Sequence, residues 1–258
     1  MLTLKKITVA FAATSALSGA ALASDYYVSL SGGVSMLGDS DNEGAFVGDF
    51  TTGEGTTIPA GTVLPDGTAV GWTTEFDTGF ALSGALGKRY GAFRGELEVA
   101  YQKNGVDTHR DVAAAGIALA GEDAGVLITG SPNIGVTVGD LVADGQGDLS
   151  TIFVMANVYY DFNAGGRIKP FVGAGLGIGF ADVDYSPSAV PVIQDSATEF
   201  AYQGIAGFAY EVSPSIELLM AYRYRATSDV SVDATLFAAD FEIENQSSVI
   251  EAGLRFNF

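Results

Sequence analysis

The chain has no cysteine and a single histidine, His109. The first absence excludes a disulfide framework and any thiolate-bound metal, and one histidine is too few for a transition-metal site. Basic residues are scarce too: 12 Lys and Arg stand against 31 Asp and Glu. A chain of that sign repels a phosphate backbone, which sets nucleic acid aside as a partner. Proline is rare, at 7 residues, whereas glycine is plentiful at 34. Beyond the amino terminus no apolar run approaches the ~20 residues of a spanning helix, which excludes a helical inner-membrane protein.

Lys5 and Lys6, an apolar run from Ile7 to Leu17, and Ala21-Leu22-Ala23 have the form of a secretory signal peptide. Residues 1–23 are therefore expected to be a leader cleaved after Ala23, and 24–258 one all-β domain. Without Lys5 and Lys6, ten basic residues face 31 acidic ones, and the formal charge goes from −19 to −21.

What the mature chain does have is period-two alternation, the signature of strands with two different faces. The last stretch shows it well. Ser248, Ile250, Ala252, Leu254, Phe256 and Phe258 share one face, while Val249, Glu251, Gly253, Arg255 and Asn257 share the other. An apolar face opposite a charged one suits a strand between lipid and a wet interior. In 93–103, Phe93, Leu97, Val99 and Tyr101 alternate with Arg94, Glu96, Glu98 and Gln102. Turning that strand over would put charges into lipid, at about 2–4 kcal/mol for a basic residue near the midplane.

The same reasoning places strands at 26–36, 76–88, 93–103, 150–162, 172–180, 198–212, 216–227 and 247–258. Tight turns at 89–92, 163–166 and 213–215 alternate with long connections, as in an up-and-down barrel with short periplasmic turns and long external loops. The predicted fold is an eight-stranded antiparallel up-and-down transmembrane β-barrel, with both termini in the periplasm. Within the loops, a small hairpin is expected at 61–70, turning at Pro65-Asp66-Gly67, and a short helix at 111–120. Gly173, Gly175, Gly177 and Gly179 share the inner face of one strand and predict clearance for bulky lumen side chains.

Several of these segments resemble the surface-antigen (Opa-like) outer-membrane β-barrel family of Gram-negative bacteria. They are Phe76-Asp77-Thr78-Gly79-Phe80, Phe93-Arg94-Gly95-Glu96-Leu97-Glu98-Val99-Ala100-Tyr101, Asn157-Val158-Tyr159-Tyr160-Asp161-Phe162 and Lys169-Pro170-Phe171-Val172-Gly173-Ala174-Gly175-Leu176-Gly177. The resemblance covers the strands and leaves the loops unmatched. It implies a small surface-exposed barrel, sometimes adhesive or weakly pore-forming, and no enzymatic activity. The end of the chain likewise resembles the carboxy-terminal signal of outer-membrane barrels. That likeness implies that Gly253, Phe256 and Phe258, preceded by Glu251, are read by the barrel-assembly machinery.

Two constellations carry the functional expectations. Arg94, Glu96, Glu98, Glu217, Arg223, Arg225, Glu251 and Arg255 are predicted to face a lumen too narrow to stay empty. There they form a packed charge network, a narrow cation-preferring path or a buried proton relay. Glu217 is expected to pair with Arg255, and Arg223 with Glu251 or with Glu96 and Glu98. The loops hold 21 acidic residues and only Arg110 as a base, a crown that attracts divalent cations loosely and repels anions. Asp39-Ser40-Asp41-Asn42-Glu43-Gly44 imitates the start of a calcium loop, but Phe50 stands where the closing Glu belongs. No Ser stands with a base in a recognisable hydrolase pattern, and the glycine run precedes no phosphate-binding helix, so neither a cofactor nor catalysis is expected. Expected partners are outer-membrane lipid and lipopolysaccharide, with an extracellular or host ligand at the loops.

Overall fold

Alternation of apolar and polar side chains builds eight long strands in this computed structural model, which describes residues 25–258. The expected leader, 1–23, and Ser24 lie outside the described residues. The strands are β1 (Tyr26–Leu37), β2 (Gly79–Tyr90), β3 (Phe93–Ala114), β4 (Gly147–Asp161), β5 (Ile168–Tyr185), β6 (Ile193–Ser213), β7 (Ile216–Thr227) and β8 (Gln246–Asn257). Each pairs antiparallel with its sequence neighbour from β2 to β7, while β1 pairs with β2 and β8, and β8 with β7. The pairing of β3 with β4 completes the ring, which leaves the barrel no open edge.

The outer face is a continuous apolar band. Leu82, Leu97, Val158, Leu176 and Met220 are exposed there, as lipid-facing residues of a barrel must be. Aromatic side chains flank the band. Phe93 and Tyr160 cluster at the short-turn rim with rings 5.2 Å apart, and Phe80 and Tyr101 at the opposite one, 5.8 Å apart. The chain end closes on the short-turn rim, where Phe258 N–H donates to Tyr26 O at 3.1 Å.

The glycine face of β5 makes room for specific side chains of β4. A Cβ on Gly173 would come within 2.4 Å of the Tyr159 ring, one on Gly175 within 2.0 Å of Asn157 Oδ1, and one on Gly177 within 2.7 Å of Met155 Sδ. The narrow barrel can therefore hold a row of large residues from one strand only because its neighbour has none.

At the long-loop end β3, β5 and β6 run on beyond the shorter strands and the connections fold into a lobe. Ser40–Phe46 pairs with Ala69–Phe76 on one side and with Ala239–Ile243 on the other. Ala69–Phe76 pairs in turn with the outer half of β3, and Ala239–Ile243 with Val230–Asp233. A bridge from Ala234 to Ile193 ties the last of these to β6, so the wall continues almost around the ring. Its interior is apolar, with Phe46, Val70, Trp72, Val112, Val126 and Phe241 buried together.

Two loops differ from the expectation. The turn at Pro65–Thr68 forms, with Thr68 N–H donating to Pro65 O at 3.0 Å, but no hairpin closes within 61–70. Val63–Leu64 pairs with Phe50–Thr51 instead, and Ala69–Phe76 runs back along Ser40–Phe46. The stretch 111–120 is not a helix. Its first part ends β3, a turn with positive φ at Ala115 and Gly116 reverses it, and Ile117–Ala118 pairs back on β3. The one α-helix among the described residues, Val138–Val142, lies further on and is capped by the Thr137 hydroxyl.

Candidate functional site

Each inward position of a strand in so narrow a barrel points at every other strand, so a charge there must find a partner or stay desolvated. All eight charged residues expected in the lumen are buried there, with Arg225 and Glu98 at 1% exposure and Glu217 at 0%. They fall into tiers.

Nearest the short turns, Glu217 accepts from Arg255 at 2.8 Å, Lys169 at 2.7 Å and Arg89 at 2.6 Å. Lys169 also reaches Glu211 at 2.7 Å. At the same end, Arg94 is held by both oxygens of Asp161 and donates to Tyr27 Oη at 3.1 Å. Tyr27 and Tyr159 both donate to Glu96, at 3.0 and 2.9 Å. Above them Glu98 accepts from Arg223 and Arg225, each at 2.8 Å, and from Asn157 at 2.6 Å. Arg223 also binds Glu251. Guanidinium N–H groups that find no oxygen, such as Arg94 Nη2 and Arg225 Nη1, belong to cations lying over rings. Arg94 sits 4.3 Å from the Tyr159 centroid and Arg225 4.8 Å from that of Phe153.

Charge is balanced within this space. The buried carboxylates Glu96, Glu98, Asp161, Glu217 and Glu251 match the buried cations Arg94, Lys169, Arg223, Arg225 and Arg255. Among these side chains lies a cavity of about 20 Å³, lined in part by Glu96, Arg223, Glu251 and Arg255 and about large enough for a single water. Arg223 meets Glu251 and Glu98, and Glu96 bonds elsewhere, to Tyr27 and Tyr159. Sequence reasoning missed Arg89, Lys169 and Tyr27 as members. Lys169 precedes a proline at the start of its strand and Arg89 adjoins a turn, so neither sits inside a clear alternation.

The residues expected to form an assembly signal lie on the last strand and at its end, toward the short-turn rim. Phe256 and Phe258 are on the lipid side, and a Cβ on Gly253 would come within 2.4 Å of Leu30 O, so that strand contact needs glycine.

On the lobe, some of the acidic residues are structural. Asp123 accepts from the N–H groups of Gly125, Ile134 and Gly135 at 2.9, 2.8 and 2.7 Å, fixing the turn that follows. Glu122 binds the hydroxyl and N–H of Thr57 and the N–H of Ile58, and these donors hold its carboxyl below the usual range. Arg110 is ringed by Glu75, Asp111 and Asp39. Asn42, inside the calcium-like stretch, is buried and turned toward Thr74 at 2.7 Å, so that stretch is a strand and offers no cage. His109 lies in the same interior with Nδ1 2.8 Å from Thr74 Oγ1, and burial pushes its pKa down to about 4.

A closed barrel with an apolar outer face and a charged inside defines an outer-membrane β-barrel protein. The family model described as Surface antigen matches residues 66–258, and the chain belongs to that family. Among curated proteins, the outer membrane protein PagN of Salmonella typhimurium is 30% identical over 93 residues. That match spans 33% of this chain and 38% of the relative, well under half of each. Among solved structures, Neisserial surface protein A aligns over 91% of this chain and 98% of its own, at 17% identity and a TM-score of 0.46. OprG of Pseudomonas aeruginosa aligns over the same shares at 13% identity and a TM-score of 0.45. The strand order establishes the fold without either. The protein is thus a bacterial outer-membrane barrel, surrounded by outer-membrane lipid and lipopolysaccharide.

Proposed function

We propose that the protein is a surface antigen that works by contact through its external lobe, on a barrel whose lumen is plugged by its own charges. In this reading residues 1–23 are a leader cleaved after Ala23, and 24–258 form the barrel domain. Both termini and the short turns face the periplasm. The end of the chain, with Gly253, Phe256 and Phe258, is the address that the barrel-assembly machinery reads. Divalent cations gather loosely at the acidic crown.

The observation that carries the reading is what the lobe shows to the outside. Ile128, Ile134 and Val136 are 45%, 48% and 44% exposed on one segment, far from lipid and braced by Asp123. Large aliphatic side chains held out in water by a rigid frame favour contact with another macromolecular surface. Catalysis finds no such support. The hydroxyl–imidazole pair of Thr74 and His109 is buried, and Thr74 Oγ1 is already engaged by Asn42 and Trp72.

Cells of a non-adherent Gram-negative host displaying the wild type should bind an epithelial monolayer. A triple variant, Ile128→Ser with Ile134→Ser and Val136→Ser, should bind several-fold less at equal surface level. Equal binding by the two would contradict the reading.

A further inference from the structure

The lobe encloses a cavity of about 150 Å³, lined by Trp72, His109, Val112, Leu119, Val126 and Tyr185 among others. Exposed Ile117 and half-buried Leu236 and Phe237 also line it, so it reaches the lobe's surface. Apolar cavities of this order stay dry and accept guests about the size of a benzene ring.

The lining is almost wholly apolar, and two of its buried polar groups, the Tyr185 hydroxyl and His109 Nε2, have no hydrogen-bond partner. His109 is 4% exposed and its Nε2 has no hydrogen-bond partner. Its proton can be placed from the neighbours. Thr74 Oγ1 receives Asn42 Nδ2 at 2.7 Å and Trp72 Nε1 at 3.1 Å, both obligate donors. Asn42 cannot be flipped, because the same Nδ2 serves the carbonyl of Trp72 at 3.1 Å. With both lone pairs of Thr74 occupied, its hydroxyl donates to His109 Nδ1, 2.8 Å away. The neutral ring then carries its hydrogen on Nε2. A buried donor left unmade costs free energy, and an acceptor brought by a guest would recover it. The surrounding crown of carboxylates disfavours an anionic guest.

We propose that this chamber is a binding site for a small, neutral, apolar molecule bearing one oxygen acceptor, seated with that oxygen on His109 Nε2–H. It is separate from the lumen network and from the exposed aliphatic contact segment.

Trp72 is the only tryptophan of the chain and lines the chamber, so its emission reports on occupancy directly. The full barrel in lipid nanodiscs is titrated with cyclohexanone, methylcyclohexane and cyclohexanecarboxylate. Cyclohexanone should change Trp72 emission saturably and bind roughly fivefold to tenfold tighter than methylcyclohexane, the factor expected of one net hydrogen bond. The carboxylate should bind most weakly. His109→Phe should erase the preference and Tyr185→Phe should leave it, while methylcyclohexane still binds either variant; Ala114→Leu, which fills the chamber, should weaken both ligands. In the wild type, the His109 Nε2–H proton resonance should shift with cyclohexanone and stay in place with methylcyclohexane, which needs no variant to fold. Non-saturable changes, equal affinity for the ketone and the hydrocarbon, or a preference for the carboxylate would overturn the proposal.

Discussion

Glu98 Oε2 and Arg223 Nη1 lie 2.8 Å apart, although β3 and β7 stand on opposite sides of an eight-stranded ring. The pair crosses the barrel, and Arg223 reaches Glu251 with the same guanidinium. Removing such a partner leaves a carboxylate desolvated in a confined space, which costs about 3–5 kcal/mol when burial is complete. Arg223→Ala should therefore lower stability by about 3 kcal/mol in urea unfolding from lipid bilayers. Arg110→Ala removes a cation that is 45% exposed, despite its three acidic neighbours, and should change stability far less, because water screens those pairs. Similar losses for the two variants would show that the lumen pairs are solvated like surface ones.

The inner face of β5 offers a second contrast. A Cβ on Gly177 would lie 2.0 Å from Val154 O, a backbone atom that cannot move aside, whereas one on lipid-facing Gly204 meets nothing within 4 Å. Gly177→Ala should lower stability by about 1–3 kcal/mol, as overpacking does. Gly204→Ala should stay within about 0.5 kcal/mol. Thermal unfolding of both in the same bilayer checks the difference, and equal effects would contradict the close packing of β4 on β5.

Acid should loosen the lobe through His109. Its pKa in the folded protein is about 4, below the ordinary 6.5, because burial disfavours the imidazolium. Between these values the folded form binds fewer protons than the unfolded one. The His109 contribution is thus whole above pH 6.5 and declines as pH falls toward 4, by up to roughly 3 kcal/mol. Unfolding of the lobe followed by Trp72 emission should be more acid-sensitive in the wild type than in His109→Gln. Parallel pH profiles would mean that the ring is not held neutral by burial.

The barrel was legible in the sequence and most of the lobe was not, for a physical reason. A lipid-facing strand has one allowed orientation, since turning 93–103 over puts Arg94, Glu96 and Glu98 into hydrocarbon. The same alternation marked the inward positions of the lumen charges, but the shear that decides which strands face each other leaves no trace in single strands. Arg223 alone did not reveal whether Glu251, or Glu96 and Glu98 across the ring, would meet it. In the lobe, Ser40–Phe46 takes its neighbours from Ala69–Phe76 and from the distant Ala239–Ile243. Such pairing is set by contacts across the sequence, and the acidic Asp39–Gly44 stretch reads locally as an ion loop. The alanines at 113–115 favour a helix by propensity, but pairing of β3 with Ala69–Phe76 overrides them.

In the proposed function the charged lumen is a plug on which a contact surface is mounted. Single-channel recording of the purified wild type in planar lipid bilayers tests it most directly. With Glu98, Arg223 and Glu251 bonded across the ring around a cavity of about 20 Å³, the protein should show no stable conductance at neutral pH. Large, long-lived, cation-selective openings of porin size would contradict the plug and make the barrel a pore.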